Sequence, residues 1–290
     1  MVGVTTLIQA TFLGLQIGMT LILIAAGLTL IFGMMDVINV AHGSLYMLGA
    51  YFGLTLVQAT GNFWLAVVLA PVLVGIVGVV IEMLSIRPLQ GRNPLYHILL
   101  TFGLLIVIEE AVSVVWGAQV QNITTPEVVD GTLVIGSIAY SEYRAFLLVS
   151  STIVVAAIWL ALSRSDFGIL MKASAHDAEM VSALGVNVTR VFTVVFGAGA
   201  ALAGLAGVLL GAQRGFEPTT GVAVIIEAFA VVVIGGLGSF RGAVVGAILV
   251  GLLEAYLALL APAIAELSVF VMMAVVLLLR PAGLFGEVAA

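Results

Sequence analysis

The sequence of 290 residues is 63% hydrophobic and only 8% charged, carries a net charge of −6 and contains no cysteine. Soluble domains contain about 25% charged residues, so this composition cannot cover a soluble globule with polar groups. Long apolar runs predict an all-α polytopic membrane protein and exclude a β-barrel, whose strands alternate in polarity. The absence of a basic stripe excludes a nucleic-acid partner, and the lack of cysteine excludes disulfides and zinc–thiolate sites. The lipid bilayer is therefore the first partner that the sequence predicts.

The apolar segments predict about eight transmembrane segments in a single domain over residues 1–290. In chain order they cover residues 7–33, 43–60, 63–84, 97–117, 146–163, 191–212, 222–234, 244–261 and 268–280. A full span needs about 20 residues, which makes segment 222–234 too short to cross alone. Two segments run into polar, glycine-containing stretches at 33–43 and 235–242 that cannot remain regular helices. Non-helical backbone at membrane depth needs surrounding protein or water, so we expect two interrupted helices, which in transporters lie at the translocation path.

Basic residues indicate which ends of the segments face the cytoplasm. They lie in the loop 87–92, in the region 164–190 and at Arg280. The positive-inside rule places all three on the cytoplasmic side and makes 164–190 a cytoplasmic loop.

Segment 118–145 carries three acidic residues and one arginine, and is predicted to be a periplasmic loop. β-branched runs around Asp130 and Gly131 predict a small hairpin within it. An irregular loop is the open alternative.

A short polar stretch, residues 173–187, interrupts the apolar pattern. Ser174, followed three residues later by Asp177, gives a capping-box pattern, and Gly185 suits the position just after a helix. The pattern predicts a helix over 175–184, about 15 Å long, which is too short and too polar to cross a bilayer. We expect it at the cytoplasmic surface, where it either bridges two spans or docks a partner.

The sequence contains no G-x-x-x-x-G-K-[ST] phosphate loop, and its single lysine, Lys172, is followed by alanine. If ATP drives transport, the ATPase is therefore a separate subunit that needs a docking surface on this chain. The sequence contains neither an H-E-x-x-H nor a G-x-S-x-G motif, either of which would indicate an intramembrane enzyme. A passive channel for small polar solutes, with the interrupted helices as pore elements, is the competing function.

Five stretches of the chain carry a family resemblance. They are GLTLIFGMMDVINVAHGSLYMLGAY (27–51), RPLQGRNPLYHILLTFGL (87–104), GILMKASAHDAEMVSALGVNV (168–188), VVVIGGLGSFRGAVVGAILVG (231–251) and LLLRPAGLFG (277–286). In this order they resemble the permeases of bacterial ATP-binding-cassette importers for branched-chain amino acids. The resemblance covers nearly the whole chain. Importers of this family have two paired permease subunits, and the chain resembles the shorter one more than the longer one.

The resemblance implies a transport subunit of the bacterial inner membrane rather than an enzyme. Its expected partners are a second, homologous permease subunit in a heterodimer, two cytoplasmic ATPase subunits and a periplasmic substrate-binding protein. ATP and Mg²⁺ are expected on the ATPase subunits, and no cofactor is expected on this chain. Branched-chain amino acids are the expected cargo, with urea, short amides or aromatic compounds as alternatives carried by related systems.

Import permeases of this class carry a cytoplasmic coupling helix in a loop of the form E-A-A-x-x-x-G. Glu179 and Gly185 match the glutamate and glycine, whereas Met180 and Val181 replace the two alanines. The resemblance thus favours ATPase docking over a bridging role. The residues predicted to couple this chain to the ATPase are Lys172, Ser174, Asp177, Ala178, Glu179, Leu184 and Gly185.

Polar residues in or near the interrupted segments are candidates for the translocation path. They are Asp36, Asn39, His42, Ser44, Glu227, Ser239 and Arg241. For the first four, the alternative is a structural role as caps of the helix that resumes near Gly43, and Ser239 and Arg241 face the same choice at the second break. Arg241 contacts the path if it lies at membrane depth, and extends towards water if it lies at the rim. Glu227 is expected to bond the broken backbone or to lie at a subunit interface.

Overall fold

The computed structural model describes residues 3–136 and 138–286. In these ranges it contains eleven α-helices and one antiparallel two-stranded sheet. The helices are α1 (Val4–Met35), α2 (His42–Thr60), α3 (Phe63–Ile81), α4 (Pro94–Trp116), α5 (Glu142–Arg164), α6 (Asp166–His176), α7 (Ala178–Ala183), α8 (Val188–Gly211), α9 (Thr220–Gly235), α10 (Phe240–Leu260) and α11 (Ser268–Leu279). The strands are β1 (Thr132–Ile135) and β2 (Ile138–Ser141). The prediction of an all-α polytopic membrane protein is confirmed.

Polar caps fix the starts of four helices at one end of the bundle. Side-chain oxygens of Asn93, Ser165, Asn187 and Ser239 accept hydrogen bonds from backbone N–H groups in the first turns of α4, α6, α8 and α10. Such caps satisfy N–H groups that have no partner within the helix. We call this the basic end, because it also carries Arg87, Arg92, Arg164, Lys172, Arg190 and Arg280. The opposite end carries β1 and β2 and is called the hairpin end.

The interior of the bundle is formed by α1, α2 and α8, whose residues are largely buried. Around them, α3, α4, α5 and α11 present large apolar side chains outwards, among them Leu99, Val114 and Leu278. Small residues allow close approach between helices of the bundle, as lipid-embedded helices require. For example, a Cβ added at Gly251 of α10 would overlap the backbone of Gly18 in α1.

Seven helical segments of the described chain are long and apolar enough to cross a bilayer, and α2 and α9 are not among them. α2 begins beside the middle of α1, where the Nε2 atom of His42 lies 3.1 Å from the carbonyl oxygen of Ile24. At about 1.5 Å per residue, Ile24 lies roughly 16 Å before the end of α1. α9 begins at the same level, because a Cβ at Gly43 would overlap the carbonyl oxygen of Gly221. The first turns of α2 and α9 therefore meet inside the bundle.

Two non-helical stretches lie within the segments that the sequence marks as interrupted. The first, residues 36–41, follows α1, which ends at Asp36 in the left-handed conformation with φ of 53°. It leads from the basic end back to the start of α2. The second, residues 236–239, is a tight turn between α9 and α10, with Gly236 at φ 101° and Gly238 at φ 79°. The two stretches touch, since Gly238 packs against Gly33 near the end of α1.

The predicted hairpin is present, with its turn displaced along the chain. β1 and β2 pair from Thr132 opposite Ser141 to Ile135 opposite Ile138. Asp130 and Gly131 therefore precede β1 instead of forming the turn, and the prediction of a turn at these residues is wrong. The pairing continues outside the strands through a hydrogen bond from the Glu142 N–H to the Gly131 carbonyl oxygen. This cross-strand bond keeps Gly131 at the base of the hairpin.

A buried ion pair closes α3 at the basic end. Glu82 begins a single π-helical turn, and its side chain is 0% exposed. Arg87 donates to both of its carboxylate oxygens, at 3.1 and 2.7 Å, and also to the hydroxyl oxygen of Thr193 in α8. A fork of this kind offsets the cost of removing the carboxylate from water. The network links α3 to α8 across the bundle.

We expect the Arg87→Met variant to lose about 3–5 kcal/mol of stability, because the buried Glu82 carboxylate then has no cation. Thermal unfolding of the detergent-solubilised protein, followed by tryptophan fluorescence, measures the loss. The matched control is Arg92→Met, an exposed arginine in the same loop that should unfold like the parent protein. Replacing Glu82 by leucine together with Arg87→Met should restore most of the stability. Equal unfolding midpoints for the two single variants would contradict a stabilising role of the pair.

Candidate functional site

The predicted coupling loop folds as two helices instead of one. α6 continues to His176, so Ser174 lies inside it, buried, with a hydroxyl that has no hydrogen-bond partner in the described chain. Asp177 separates the helices, and its Oδ1 atom accepts a hydrogen bond of 2.8 Å from the Met180 N–H as the cap of α7. The prediction that Ser174 caps a helix over 175–184 is therefore wrong.

Packing of α6 explains the difference. Met171, one turn before Ser174, lies in a buried apolar cluster with Met34 of α1 and with Val191 and Val195 of α8. Because α6 continues to His176, the helical face that carries Met171 stays packed against this cluster. If Ser174 were a helix cap, α6 would have to end next to the cluster. Burial of an apolar face contributes more than one cap, which is worth about 1 kcal/mol.

Gly185 ends α7, as the sequence predicts. It adopts the left-handed conformation with φ of 87°, and its N–H donates to the Ser182 carbonyl oxygen at 2.9 Å. The next N–H, of Val186, donates to the Val181 carbonyl oxygen at 3.4 Å. Only glycine adopts this conformation without strain. The helix α7 therefore ends at this point, and the chain changes direction before α8 begins.

The side chains of α7 divide into one buried anchor and an exposed surface. Val181 is only 6% exposed and holds the helix to the bundle. Met180 and Leu184 are 58% and 77% exposed, so two large apolar side chains point away from the protein. The remaining residues predicted to couple, apart from the buried Ser174, are also exposed: Lys172, Asp177, Ala178, Glu179 and Gly185. We call the surface formed by Glu179, Met180 and Leu184 the α7 surface.

Three polar residues are buried where α2 begins: Asn39 in the first non-helical stretch, and His42 and Ser44 in the first turn of α2. None of them caps α2 through its side chain. Asn39 is 1% exposed, and neither atom of its amide has a hydrogen-bond partner in the described chain. His42 contacts Ile24 in α1, and the Ser44 hydroxyl donates to the Leu105 carbonyl oxygen in α4 at 3.5 Å. The alternative role as helix caps is wrong for these three side chains, because the contacts of His42 and Ser44 run to neighbouring helices and the Asn39 amide has no partner in the described chain.

Asp36, Ser239 and Arg241 lie at the basic end. The Ser239 hydroxyl caps α10 by accepting a hydrogen bond from the Gly242 N–H at 3.1 Å, and Arg241 is exposed beside it. Asp36 is exposed at the end of α1. None of these three side chains reaches the level where α2 and α9 begin.

A cleft at the basic end joins the two non-helical stretches to the coupling loop. It has a volume of about 730 Å³ and is lined by Asp36, Ser239, Lys172 and His176. A neighbouring pocket shares Lys172 and Ser239 and includes Arg241. Residues predicted for the path and residues predicted for coupling thus meet at one place on the basic end.

Glu227 lies in a different place, a cavity of about 310 Å³ that extends from the hairpin end towards the middle of α1. Its polar lining consists of Gln16, Thr20, Arg144, Gln213, Arg214, Glu227 and Glu254. Its apolar lining consists of Leu13, Ile17, Leu21, Ile24 and Leu210. We call it the charged cavity, because two arginines and two glutamates from four different parts of the chain face it.

The four charges of the cavity do not pair with one another. Within the described chain, the one ion pair with an N–O distance of 4 Å or less is Arg87–Glu82, elsewhere in the bundle. Gln16 and Gln213 do pair, through reciprocal amide hydrogen bonds of 3.4 Å. Partial desolvation lowers the pKa of Arg214, although its side chain is largely exposed, and the Tyr46 hydroxyl and the two carboxylates raise this pKa overall. Arg214 is therefore a permanent cation at this site.

Among the residues that line this cavity, only Glu227 is a path candidate from the sequence. Arg214 lies between two apolar segments, α8 and α9, and that position marks it as unusual in so apolar a chain. Arg144, Gln16 and Glu254 are separated from it by 40 to about 200 positions, so only packing of the helices shows that they face the same space.

The family model for the permease component of branched-chain amino acid transport systems matches residues 10–279. The chain belongs to this family. The permease is 34% identical over 290 residues to the high-affinity branched-chain amino acid transport system permease protein BraD of Pseudomonas aeruginosa, covering 94% of each chain. It is 32% identical over 298 residues to the corresponding protein LivH of Escherichia coli, covering 97% of this chain and 96% of LivH.

An archaeal relative, the probable branched-chain amino acid transport permease protein LivH of Methanocaldococcus jannaschii, is 32% identical over 245 residues, which are 81% of this chain and 76% of the relative. No solved structure matches the permease. The family confirms the resemblance carried by the five sequence stretches. Together with its seven apolar helical segments, it makes the permease a multi-pass transport subunit of the bacterial inner membrane.

Proposed function

We propose that the permease forms, with a second homologous permease subunit, the translocation path of an ATP-binding-cassette importer for branched-chain or related amino acids. A periplasmic binding protein delivers the substrate to the hairpin end. Two cytoplasmic ATPase subunits, which hold ATP and Mg²⁺, drive transport from the basic end. The permease itself binds no cofactor in this scheme.

The observation that carries the proposal is the exposed α7 surface between two long membrane helices. α7 is fixed at both ends, by the Asp177 cap and by the left-handed Gly185. Its apolar side chains Met180 and Leu184 have no apolar neighbour that covers them. Exposed apolar side chains on a short, rigid helix suit a protein groove better than water.

The packing of α6 supports transmission of motion from the α7 surface into the bundle. α6 follows α5 after one residue, Ser165, and Met171 packs into the cluster with α1 and α8. A rigid displacement of α6 and α7 therefore pushes on both inner helices. The cleft lined by Asp36 and Lys172 lies next to α6 and gives this movement space.

Co-purification followed by reconstituted uptake tests the proposal. The permease carries an affinity tag, and the accompanying subunits are identified by mass spectrometry. Proteoliposomes then contain this assembly with ATP at the basic end and a panel of binding proteins at the hairpin end. We expect uptake of labelled leucine, isoleucine or valine that requires both ATP and one binding protein.

Two results would contradict the proposal in different ways. Uptake that persists without ATP and without accompanying subunits would indicate a passive channel. ATP-dependent uptake of urea or acetamide without amino acid uptake would keep the importer architecture and replace its cargo.

A further inference from the structure

The charged cavity brings carboxylates and arginines from four parts of the chain around one space, beside an apolar wall. Cations and carboxylates inside a membrane domain are costly unless they are paired, hydrated or bound to a ligand. Arg87 and Glu82 show the paired arrangement, with a distance of 2.7 Å. Glu227 and Glu254, both half-buried, instead face a common space with Arg144 and Arg214, which are exposed at the hairpin end, and none of the four forms an ion pair with another.

A ligand that satisfies this cavity must carry both signs of charge. A cation alone would leave the arginines unpaired, and an anion alone would leave the glutamates unpaired. A zwitterion offers a carboxylate to Arg214 or Arg144 and an ammonium group to Glu227 or Glu254. Arginine is suited to binding a carboxylate through two parallel hydrogen bonds.

The rest of the lining indicates the side chain of that ligand. Leu13, Ile17, Leu21 and Leu210 form an apolar wall beside the charged groups. The volume of about 310 Å³ is at the lower end of the range of about 300–1,000 Å³ found for small-ligand pockets. It is large enough for one small molecule with an aliphatic side chain.

We propose that the charged cavity is a binding site within the permease for the zwitterionic head of an aliphatic α-amino acid, with Arg214 on its carboxylate and Glu227 on its ammonium group. This inference rests on the proposed function and adds that the permease itself selects charge, after delivery of the substrate. It also distinguishes amino acids from urea and short amides, which are uncharged and leave all four charges unpaired.

The place of the cavity connects binding to the centre of the bundle. The cavity ends at Ile24, whose carbonyl oxygen contacts His42, the first residue of α2. Glu227 lies less than two turns from Gly221, where α9 meets α2. A bound zwitterion therefore contacts the helix whose start is packed against the start of α2.

Equilibrium binding of labelled L-leucine to the tagged assembly, washed free of soluble binding protein, tests the site without any substitution. We expect saturable binding that unlabelled isoleucine and valine displace. Isopentylamine lacks the carboxylate and 4-methylpentanoate lacks the ammonium group, so each should compete about ten- to hundredfold less well. Urea and acetamide should not compete.

Variants assign the site to the cavity. Arg214→Gln and Glu227→Gln should each weaken leucine binding about ten- to hundredfold, since each removes one charge-assisted contact. The matched controls are Arg92→Gln and Glu110→Gln, exposed residues outside the cavity, which should bind leucine like the parent assembly. Size-exclusion profiles and retention of the accompanying subunits show that the variants remain assembled.

Failure of this inference is distinct from failure of the proposed function. Leucine uptake that is normal in both cavity variants, with no direct leucine binding, would overturn the site and leave the importer intact. Competition by isopentylamine and 4-methylpentanoate equal to that of leucine would overturn recognition of a zwitterion. Leucine binding to the cavity without ATP-dependent uptake would support the site and contradict the proposed function.

Discussion

Replacing Gly43 by alanine is expected to destabilise the permease by about 3 kcal/mol or more and to abolish uptake. The added Cβ would overlap the carbonyl oxygen of Gly221 and lie 2.9 Å from the Cβ of Ile225. Overpacking normally costs about 1–3 kcal/mol, and the upper end applies when the obstacle is backbone that cannot rotate away. Thermal unfolding in detergent and uptake in proteoliposomes measure the two effects.

The loss of uptake has a physical reason beyond stability. The first turns of α2 and α9 are held together by this contact, and α9 carries Glu227 towards the charged cavity. Pushing α9 away displaces a carboxylate that faces the cavity. Uptake should therefore fall even at temperatures where the variant remains folded.

Gly103→Ala provides the matched control in a helix of the same bundle. A Cβ at Gly103 of α4 would meet nothing within 4 Å. The alanine should leave stability unchanged or raise it by about 0.5–1 kcal/mol, because glycine is a poor helix former. If both alanine variants had the same unfolding midpoint, the close contact between α2 and α9 would be refuted.

The double variant Met180→Ser with Leu184→Ser is expected to lose substrate-stimulated ATPase activity while remaining folded. Both side chains are more than half exposed, so removing them costs the isolated permease little. At the centre of an interface, the few residues that dominate binding each contribute about 2 kcal/mol or more. Retention of the ATPase subunits on the tagged permease should fall at least about tenfold, measured by pull-down and by ATPase rate.

Leu95→Ser is the matched control for this prediction. Leu95 is 67% exposed at the start of α4, also at the basic end, but lies outside the α6–α7 region. It should leave ATPase stimulation unchanged. Unaltered stimulation in the double variant would place the docking surface elsewhere at the basic end. Gly185→Val supplies a second test, since a β-branched residue at φ of 87° should distort the end of α7 without removing any exposed side chain.

The coupling loop shows how far local sequence signals reach. Gly185 could be predicted because a left-handed residue after a helix is a property of a few neighbouring positions. Ser174 could not be placed correctly, because its role depends on Met171 packing against α1 and α8. The local sequence does favour a helix cap in this region, but the capping residue is Asp177, which caps α7 one turn later than predicted.

The candidate path residues divide in the same way. From the sequence, one group of path candidates comprises Asp36, Ser239, Arg241 and Glu227, because each lies near an interrupted segment. The structure separates the first three, which lie at the basic end, from Glu227, which faces the charged cavity. How close a residue lies to an interrupted segment in the sequence does not show how deep it lies in the bundle. The 16 residues of α9, for example, extend from the level where α2 begins to the basic end.

The sequence by itself determined the class of the protein, most helix positions, the distribution of basic residues and the family. Run length, composition and motif order are local properties, and an apolar run of about 20 residues has few alternatives to a membrane helix. The tertiary structure decided which polar groups meet. Arg214, Glu227 and Glu254 face one cavity, and α2 begins against α9, because small residues set how closely and at which level the helices cross. Such contacts join positions up to about 200 residues apart, and no local pattern in the chain encodes them.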